Sequence, residues 1–467
     1  MVFLIVIPDI KMKNKILIFT LYLVTIMILI SCADKKTEDP TDPEPEPAKS
    51  IASCEGCHTN YATLKSNYTP DPPAEGGGCG GESPHYEPYD RVYLGGDGYQ
   101  TFKNNIHGKM PCVTCHNGVD GTSDKAKAHS GNFIKKPSSR SDAKCATCHP
   151  DIYNRTKNSL HEQGWGQKSM VVLRSGLSNI PTGFDQLSST MKDGYTKNCG
   201  KCHASCGDCH VNRPIAGGGG LSNGHAFTKK PDMRDICVTC HVSRGGHAYF
   251  GQAVGTVPDV HLTKRQFTCL NCHTQNEVHG DGNIYDQRYK MGLLPKCQNC
   301  HAGLEKSNTY HQAHLSSFSC NTCHSQDYNN CGSCHIGAEG ARVASYQGFK
   351  IGMNPISETK PYKYAVLRQS LMAPDSWDKF GVATLSKFDV KPTYKYATPH
   401  NIIKWTSRTQ VASGKPCYDA CHVMKNTDGS FRNKQLYLFK SDLQSWEISA
   451  TQSITVDGKL PYTWGVK

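Results

Sequence analysis

Cys199-Gly-Lys-Cys202-His203-Ala-Ser-Cys206-Gly-Asp-Cys209-His210 decides how this chain is read. Twelve residues hold the pattern Cys-x-x-Cys-His twice, with two residues between the copies. That pattern is the attachment signature of c-type haem. The two thiols add to vinyl groups of the ring, and the His that follows becomes the proximal iron ligand. Two haems attached so close in sequence lie almost in contact, as electron transfer between them requires.

The rest of the chain repeats the pattern. Exact copies begin at Cys54, Cys112, Cys145, Cys199, Cys206, Cys237, Cys269, Cys297, Cys320 and Cys331. Their second thiols are Cys57, Cys115, Cys148, Cys202, Cys209, Cys240, Cys272, Cys300, Cys323 and Cys334. Their histidines are His58, His116, His149, His203, His210, His241, His273, His301, His324 and His335. Cys417-Tyr-Asp-Ala-Cys421-His422 is an eleventh copy with one extra residue between the thiols, and a metal-free Cys pair is the alternative there. Zinc sites also use Cys-x-x-Cys pairs, but neither zinc nor disulfides require a His directly after every second Cys. Eleven haem c groups are expected. Only Cys32 and Cys79 of the 24 cysteines remain.

Composition agrees. The 467 residues are 37% hydrophobic with a mean hydropathy of −0.53, a thin supply for side-chain cores alone. Either part of the chain is disordered or something other than side chains fills the interior. The expected fold is mostly irregular with short α-helices packed on haem, with a small β-containing part near the C-terminus. The formal charge of +12 would suit nucleic acid or an anionic membrane. Two propionates on each of eleven haems would contribute about −22, so the basic excess is read as a partner for propionates and not for nucleic acid.

Along the chain, residues 1–31 read as a lipoprotein signal peptide, with Met12-Lys-Asn-Lys as the opening and Ile16 to Ile30 as the apolar run. Leu29-Ile30-Ser31-Cys32 resembles a lipobox with Cys32 as the lipidated residue, and an uncleaved anchor with an incidental Cys is the alternative. Ala33 after it favours outer-membrane sorting. Residues 32–50 form an acidic, Pro-rich tether. The motifs then run single, single, single, close pair, twice over. Residues 51–216 and 217–340 read as two pentahaem modules divided near Gly217–Gly220. The first is stretched by insertions at Thr59 to Ile106, which holds Cys79, and at Pro150 to Asn198. Cys79 is a free thiol or an intermolecular disulfide partner. No sustained periodicity is seen between Cys54 and His335. Residues 341–467, richer in Tyr, Trp and β-branched residues, carry one further haem.

Eleven histidines lie outside the motifs: His85, His107, His129, His161, His225, His247, His261, His279, His311, His314 and His400. One spare His per haem is what bis-His ligation needs, and all eleven are candidate distal ligands. Met is the rival sixth ligand, but the methionines show no comparable pairing with the motifs. His400 reads as the partner of the Cys417 motif, so exchanging it for Met is expected to disturb that haem alone.

Two pentahaem halves, a lipobox and an additional haem resemble the outer-membrane multihaem c-type cytochromes of metal-reducing bacteria. The resemblance spans about Cys32 to His335. It implies electron transfer to extracellular or periplasmic acceptors: other redox proteins or cytochromes, minerals or soluble shuttles. This chain lacks room for the β-barrel domains of the decahaem surface members, so the face of the outer membrane it occupies stays open. The expectation is an electron carrier and not an enzyme, with no catalytic residues assigned. One alternative is a reductase of nitrite, hydroxylamine or tetrathionate type with one open haem. It lacks the Cys-x-x-Cys-Lys motif common in such enzymes. A cytochrome-filament subunit is the other.

Overall fold

The computed structural model describes residues 50–72, 85–178, 180–241, 245–252, 255–328, 349–370 and 372–466. The expected export signal with Cys32, nearly all of the expected tether, Cys79 and the tenth motif (Cys331, Cys334 and His335) lie outside the described residues. Residues 51–467 belong to one unit.

Regular structure is short, and much of it follows the motifs. Cys54–Thr59, Cys112–His116, Cys206–His210 and Cys320–His324 are single α-helical turns that open on the first cysteine. Cys145–Thr147, Cys269–Asn271, Cys297–Asn299 and Cys417–Ala420 wind more tightly as 3₁₀ turns. The residue before the cysteine is often the cap. The Ser53 hydroxyl accepts from the Gly56 amide at 2.9 Å, and the Asp208 carboxylate accepts from the Ser205 amide at 2.8 Å. Positions i, i+3 and i+4 of a helical turn share one face, so both thiols and the imidazole of a motif face the same way. In the tighter turns the His amide still bonds back four residues, from His149 to the Cys145 carbonyl at 2.9 Å and from His273 to the Cys269 carbonyl at 2.8 Å. The stretched motif keeps this bond one residue later, from His422 to the Tyr418 carbonyl at 2.8 Å. Its extra residue is absorbed ahead of the turn.

Two longer helices fall where no periodicity was expected: α1, Trp165–Arg174, and α2, Ser189–Cys199. Both belong to the insertion between Pro150 and Asn198. Their apolar stripes are narrow, Met170, Val171 and Val172 on α1 and Met191 and Tyr195 on α2. They are completed by Trp377, Leu385 and Phe388 from the C-terminal part. The Trp377 indole donates to the Met191 carbonyl at 3.2 Å. Arg174 is fully buried, lies 3.9 Å from the centre of the Phe388 ring, and donates to the Lys391 and Pro392 carbonyls at 3.2 Å each. Burial pulls its pKa down to about 9, so it stays charged at neutral pH.

The C-terminal part carries the β structure. Strands β1 (Lys350–Met353), β2 (Tyr364–Gln369) and β3 (Tyr394–Tyr396) form an antiparallel sheet in that order, with Ile351 opposite Val366 and Leu367 opposite Tyr396. β4 (Met424–Lys425) and β5 (Phe431–Arg432) make a small hairpin behind the stretched motif. Tyr364 to Leu367 are buried in succession and do not alternate, because both faces of β2 are covered. One face, with Tyr364 and Val366, packs with Ile351, Tyr437, Phe349 and Ala397; the other, with Ala365 and Leu367, packs with Tyr394, Leu438 and Ile454. Mostly short helices and irregular chain, with a small antiparallel sheet near the C-terminus, is thus the architecture. No helix among the described residues is long and apolar enough to cross a membrane.

Candidate cofactor-binding cavity

Side chains fill the α1–α2 core and the sheet, but the motif-bearing chain wraps around space. One continuous cavity of about 5560 Å³ is lined by all twenty described motif cysteines and by nineteen histidines. Small-molecule pockets measure roughly 300–1,000 Å³. Shared among the ten motifs that line it, the cavity gives each about 560 Å³. Its charge is one-sided. Nineteen Lys and Arg line it against four Asp and Glu, whereas the whole chain holds 52 against 40. A cavity with that lining suits large, flat, apolar groups that carry carboxylates. No disulfide joins the described cysteines, and among the described residues no three metal-binding side chains converge. A structural zinc site needs four.

The histidines face one another in pairs. His58 faces His129 with ring centres 6.2 Å apart, His116 faces His225 at 6.1 Å, and His149 faces His107 at 6.0 Å. His210 and His279 are 6.1 Å apart, His241 and His161 6.2 Å, and His273 and His400 5.9 Å. His301 and His261 stand at 6.1 Å, His324 and His311 at 6.1 Å, and His422 and His314 at 6.2 Å. Each of the nine pairs joins one motif His to one spare His. Two metal–imidazole bonds of about 2.0 Å and two ring radii of about 1.1 Å separate ring centres by about 6.2 Å. The spacing leaves room for one metal atom between the rings and for little else.

Hydrogen bonds set the rings for that role. Nδ1 of His58, His116, His210 and His324 donates to the carbonyls of Val92, Ile134, Thr228 and Lys404 at 2.7–3.2 Å. Nδ1 of His129 and His314 donates to the carbonyl four residues earlier, 2.8 Å in each case. His107 uses Asn105, His261 uses Asp259 and His273 uses Glu277, at 2.8, 2.9 and 2.8 Å. A proton held on Nδ1 leaves Nε2 as the lone-pair nitrogen, the usual arrangement around a bound metal. Burial lowers the pKa of nine of the eighteen paired rings, His225 and His400 to about 4, which keeps them neutral. His273 is shifted up instead by its Glu277 hydrogen bond.

The pairs interlock distant segments. His116 and His225, His210 and His279, and His241 and His161 each join residues on opposite sides of Gly217–Gly220. The motif thiols mark a spatial order. Interacting cysteines link the motif of Cys54 to that of Cys112, then Cys145, then Cys206. The order continues through Cys237, Cys269, Cys297 and Cys320 to Cys417. The Cys199 motif stands beside this succession, with Cys202 against Cys240.

Two expectations are corrected. His400 faces His273, not the Cys417 motif, whose His422 is met by His314. The reason is the fully buried Asn401, whose side chain donates to the carbonyls of Ala248 and Val257. Ile402 and Ile403 add backbone bonds to Val260 and His324, so residues 400–403 are drawn beside earlier motifs. His85 faces no motif imidazole among the described residues. Its side chain is 68% exposed and its Nε2 lies 3.3 Å from the Glu87 carboxylate. His247 meets no second imidazole among the described residues, and His335 lies outside them.

His203 differs from the nine paired motif histidines. Its Nε2 meets the Tyr195 hydroxyl at 2.8 Å and the Gln167 carboxamide oxygen at 3.1 Å. Neither residue is signalled by any motif. Their one trace in the sequence is the long insertion that ends on Cys199.

No family model, no curated protein and no solved structure matches the chain.

Proposed function

We propose that the chain is a multihaem c-type cytochrome that conducts electrons through closely spaced bis-imidazole haems, and that it is exported and held at the outer membrane by lipid on Cys32. One observation carries the proposal: nine motif histidines each face a spare histidine at 5.9–6.2 Å, in a cavity lined by the motif thiols. Haem supplies iron that alternates between the ferric and ferrous states. The chain supplies everything that makes such iron useful for transfer alone. Each thiol pair would hold one haem in place, and each imidazole pair would hold its iron from two sides and leave no place on it for substrate. The Nδ1 partners hold the imidazoles in place. Lysines and arginines of the lining neutralise propionates. The nearness of neighbouring motif thiols would bring successive haems close together, with Cys54 and Cys417 at the two ends of the described line. Partners are redox proteins or extracellular acceptors that dock at such ends.

The test is intact mass and EPR of the oxidised protein expressed with its export signal. Eleven covalent haems, at least nine of them low-spin, are expected. A protein without covalent haem, or one whose thiols hold zinc, refutes the proposal.

A further inference from the structure

We propose that Asn433 and Tyr437 are positioning residues for the stretched motif: they bend the chain between Cys417 and His422 so that both thiols meet one haem despite the extra residue. The inference rests on the haem reading above and adds the residues on which the eleventh attachment depends.

Spacing sets the problem. Cys417–Ala420 is a 3₁₀ turn, in which side chains three residues apart eclipse one another. Ala420, not Cys421, therefore falls over Cys417, and a chain that wound on regularly would carry Cys421 about 120° round from it. The chain leaves the turn at Cys421 instead, with φ −125° and ψ −41°. Exact copies carry no such mismatch, because their thiols are three residues apart.

Side chains beyond the β4–β5 hairpin hold that departure. The hairpin returns the chain past the motif, and Asn433, directly after β5, takes the left-handed conformation at φ +63°, which Asn adopts more readily than most residues. Its amide donates to the Asp419 carbonyl at 2.7 Å and to the His422 carbonyl at 2.9 Å, so one group spans the stretched part of the turn. Arg432 donates to the Asp419 carboxylate. In four exact copies the carbonyl of the motif His accepts a backbone amide instead, from Leu94, Ile134, Thr228 or Ile403 at 2.7–2.9 Å. Tyr437 completes the clamp between those two carbonyls. Its ring is fully buried in the cluster of Val423 and Phe439, and its hydroxyl donates to the Cys421 carbonyl at 3.0 Å and lies 3.5 Å from the Cys421 sulfur. Asn433 is not part of the cavity lining, so it acts on the turn and not on what the cavity holds.

Attachment is an addition reaction. Each thiol S–H adds across a vinyl C=C: the sulfur–carbon bond forms, the hydrogen goes to the other vinyl carbon, and no oxidant or reductant is consumed. Two additions to one ring need two sulfurs on one side of the turn, which is what the clamp provides.

The full chain is expressed with its export signal, and haem is counted by intact mass and located by peptide mapping. The parent chain should carry eleven haems, one for each motif. Asn433→Gly leaves the left-handed backbone accessible and removes only the amide. It should lower the count by one in most molecules, with the Cys417–Cys421 peptide bare and both its thiols open to alkylation. Tyr437→Phe keeps the ring, loses the hydroxyl and should leave Cys421 open to alkylation. Deleting Ala420 in the Asn433→Gly chain restores the exact spacing and should restore the missing haem. Full haem loading with both thiols protected in the two substituted chains overturns the inference. So does a haem loss that deletion of Ala420 fails to restore, since Asn433 would then serve the fold alone, and so does a parent chain whose Cys417–Cys421 peptide is bare while the other motifs are loaded. A parent chain without any covalent haem defeats the cytochrome proposal instead.

Discussion

Exchanging His314 or His400 for Met tests the cavity's pairing rule where sequence order and tertiary structure disagree. His314 faces His422 at 6.2 Å, and His400 faces His273 at 5.9 Å. Each substitution removes one of two imidazoles from one site, so each should alter one haem in eleven, about 9% of the total. A thioether in place of an imidazole raises the potential of that haem. The two sites separate in a background where Cys417 and Cys421 are both Ser and the eleventh haem is missing. There His314→Met should add no further change to the spectrum or the reductive titration, because its partner is gone. His400→Met should still shift one haem, at the Cys269 motif. Residues that share a site are non-additive and distant ones are additive, so the double-mutant comparison isolates the pairing. Additive behaviour of His314→Met, or silence of His400→Met in that background, would falsify the assignment and with it the use of the 6 Å pairs as ligand pairs.

Other consequences are simpler to check. Asp259 is buried and its carboxylate receives the His261 ring at 2.9 Å, the His261 amide at 2.8 Å and the Ile402 amide at 2.6 Å. Asp259→Asn should raise the potential of the Cys297 haem alone, since the imidazole loses its anionic partner, and spectroelectrochemistry would reveal one shifted component. Arg408 is buried and donates to the Thr322 carbonyl at 2.8 Å, to Asp327 at 2.7 Å and to the Ser325 carbonyl. Arg408→Met should cost about 3 kcal/mol through the acceptors left unpaired, seen as a lower melting temperature with the haem count unchanged. Cys32→Ala should move the protein from the membrane fraction to the soluble periplasmic fraction, and a variant that stays with membranes would argue for another anchor.

Local chemistry was legible from the chain alone. Cys-x-x-Cys-His spans about one turn, so two thiols and an imidazole can share a face, and the eleventh copy shows that one extra residue is absorbed without loss of that turn. The shortage of apolar residues likewise announced an interior not filled by side chains. Choice of the second imidazole was not local. It depends on which loop is pulled beside which motif, and at His400 that is decided by the buried amide of Asn401, 128 residues after the His273 it serves. The α1–α2 core escaped notice for a related reason. Each helix offers only a narrow apolar stripe, and its other wall comes from Trp377, Leu385 and Phe388, about 200 residues further on. Sequence by itself determined what each motif can hold and how many there are. Tertiary structure decided which histidine answers each motif, and that His203 is answered by Tyr195 and Gln167, because the direction in which a side chain points is local and the company it meets is not.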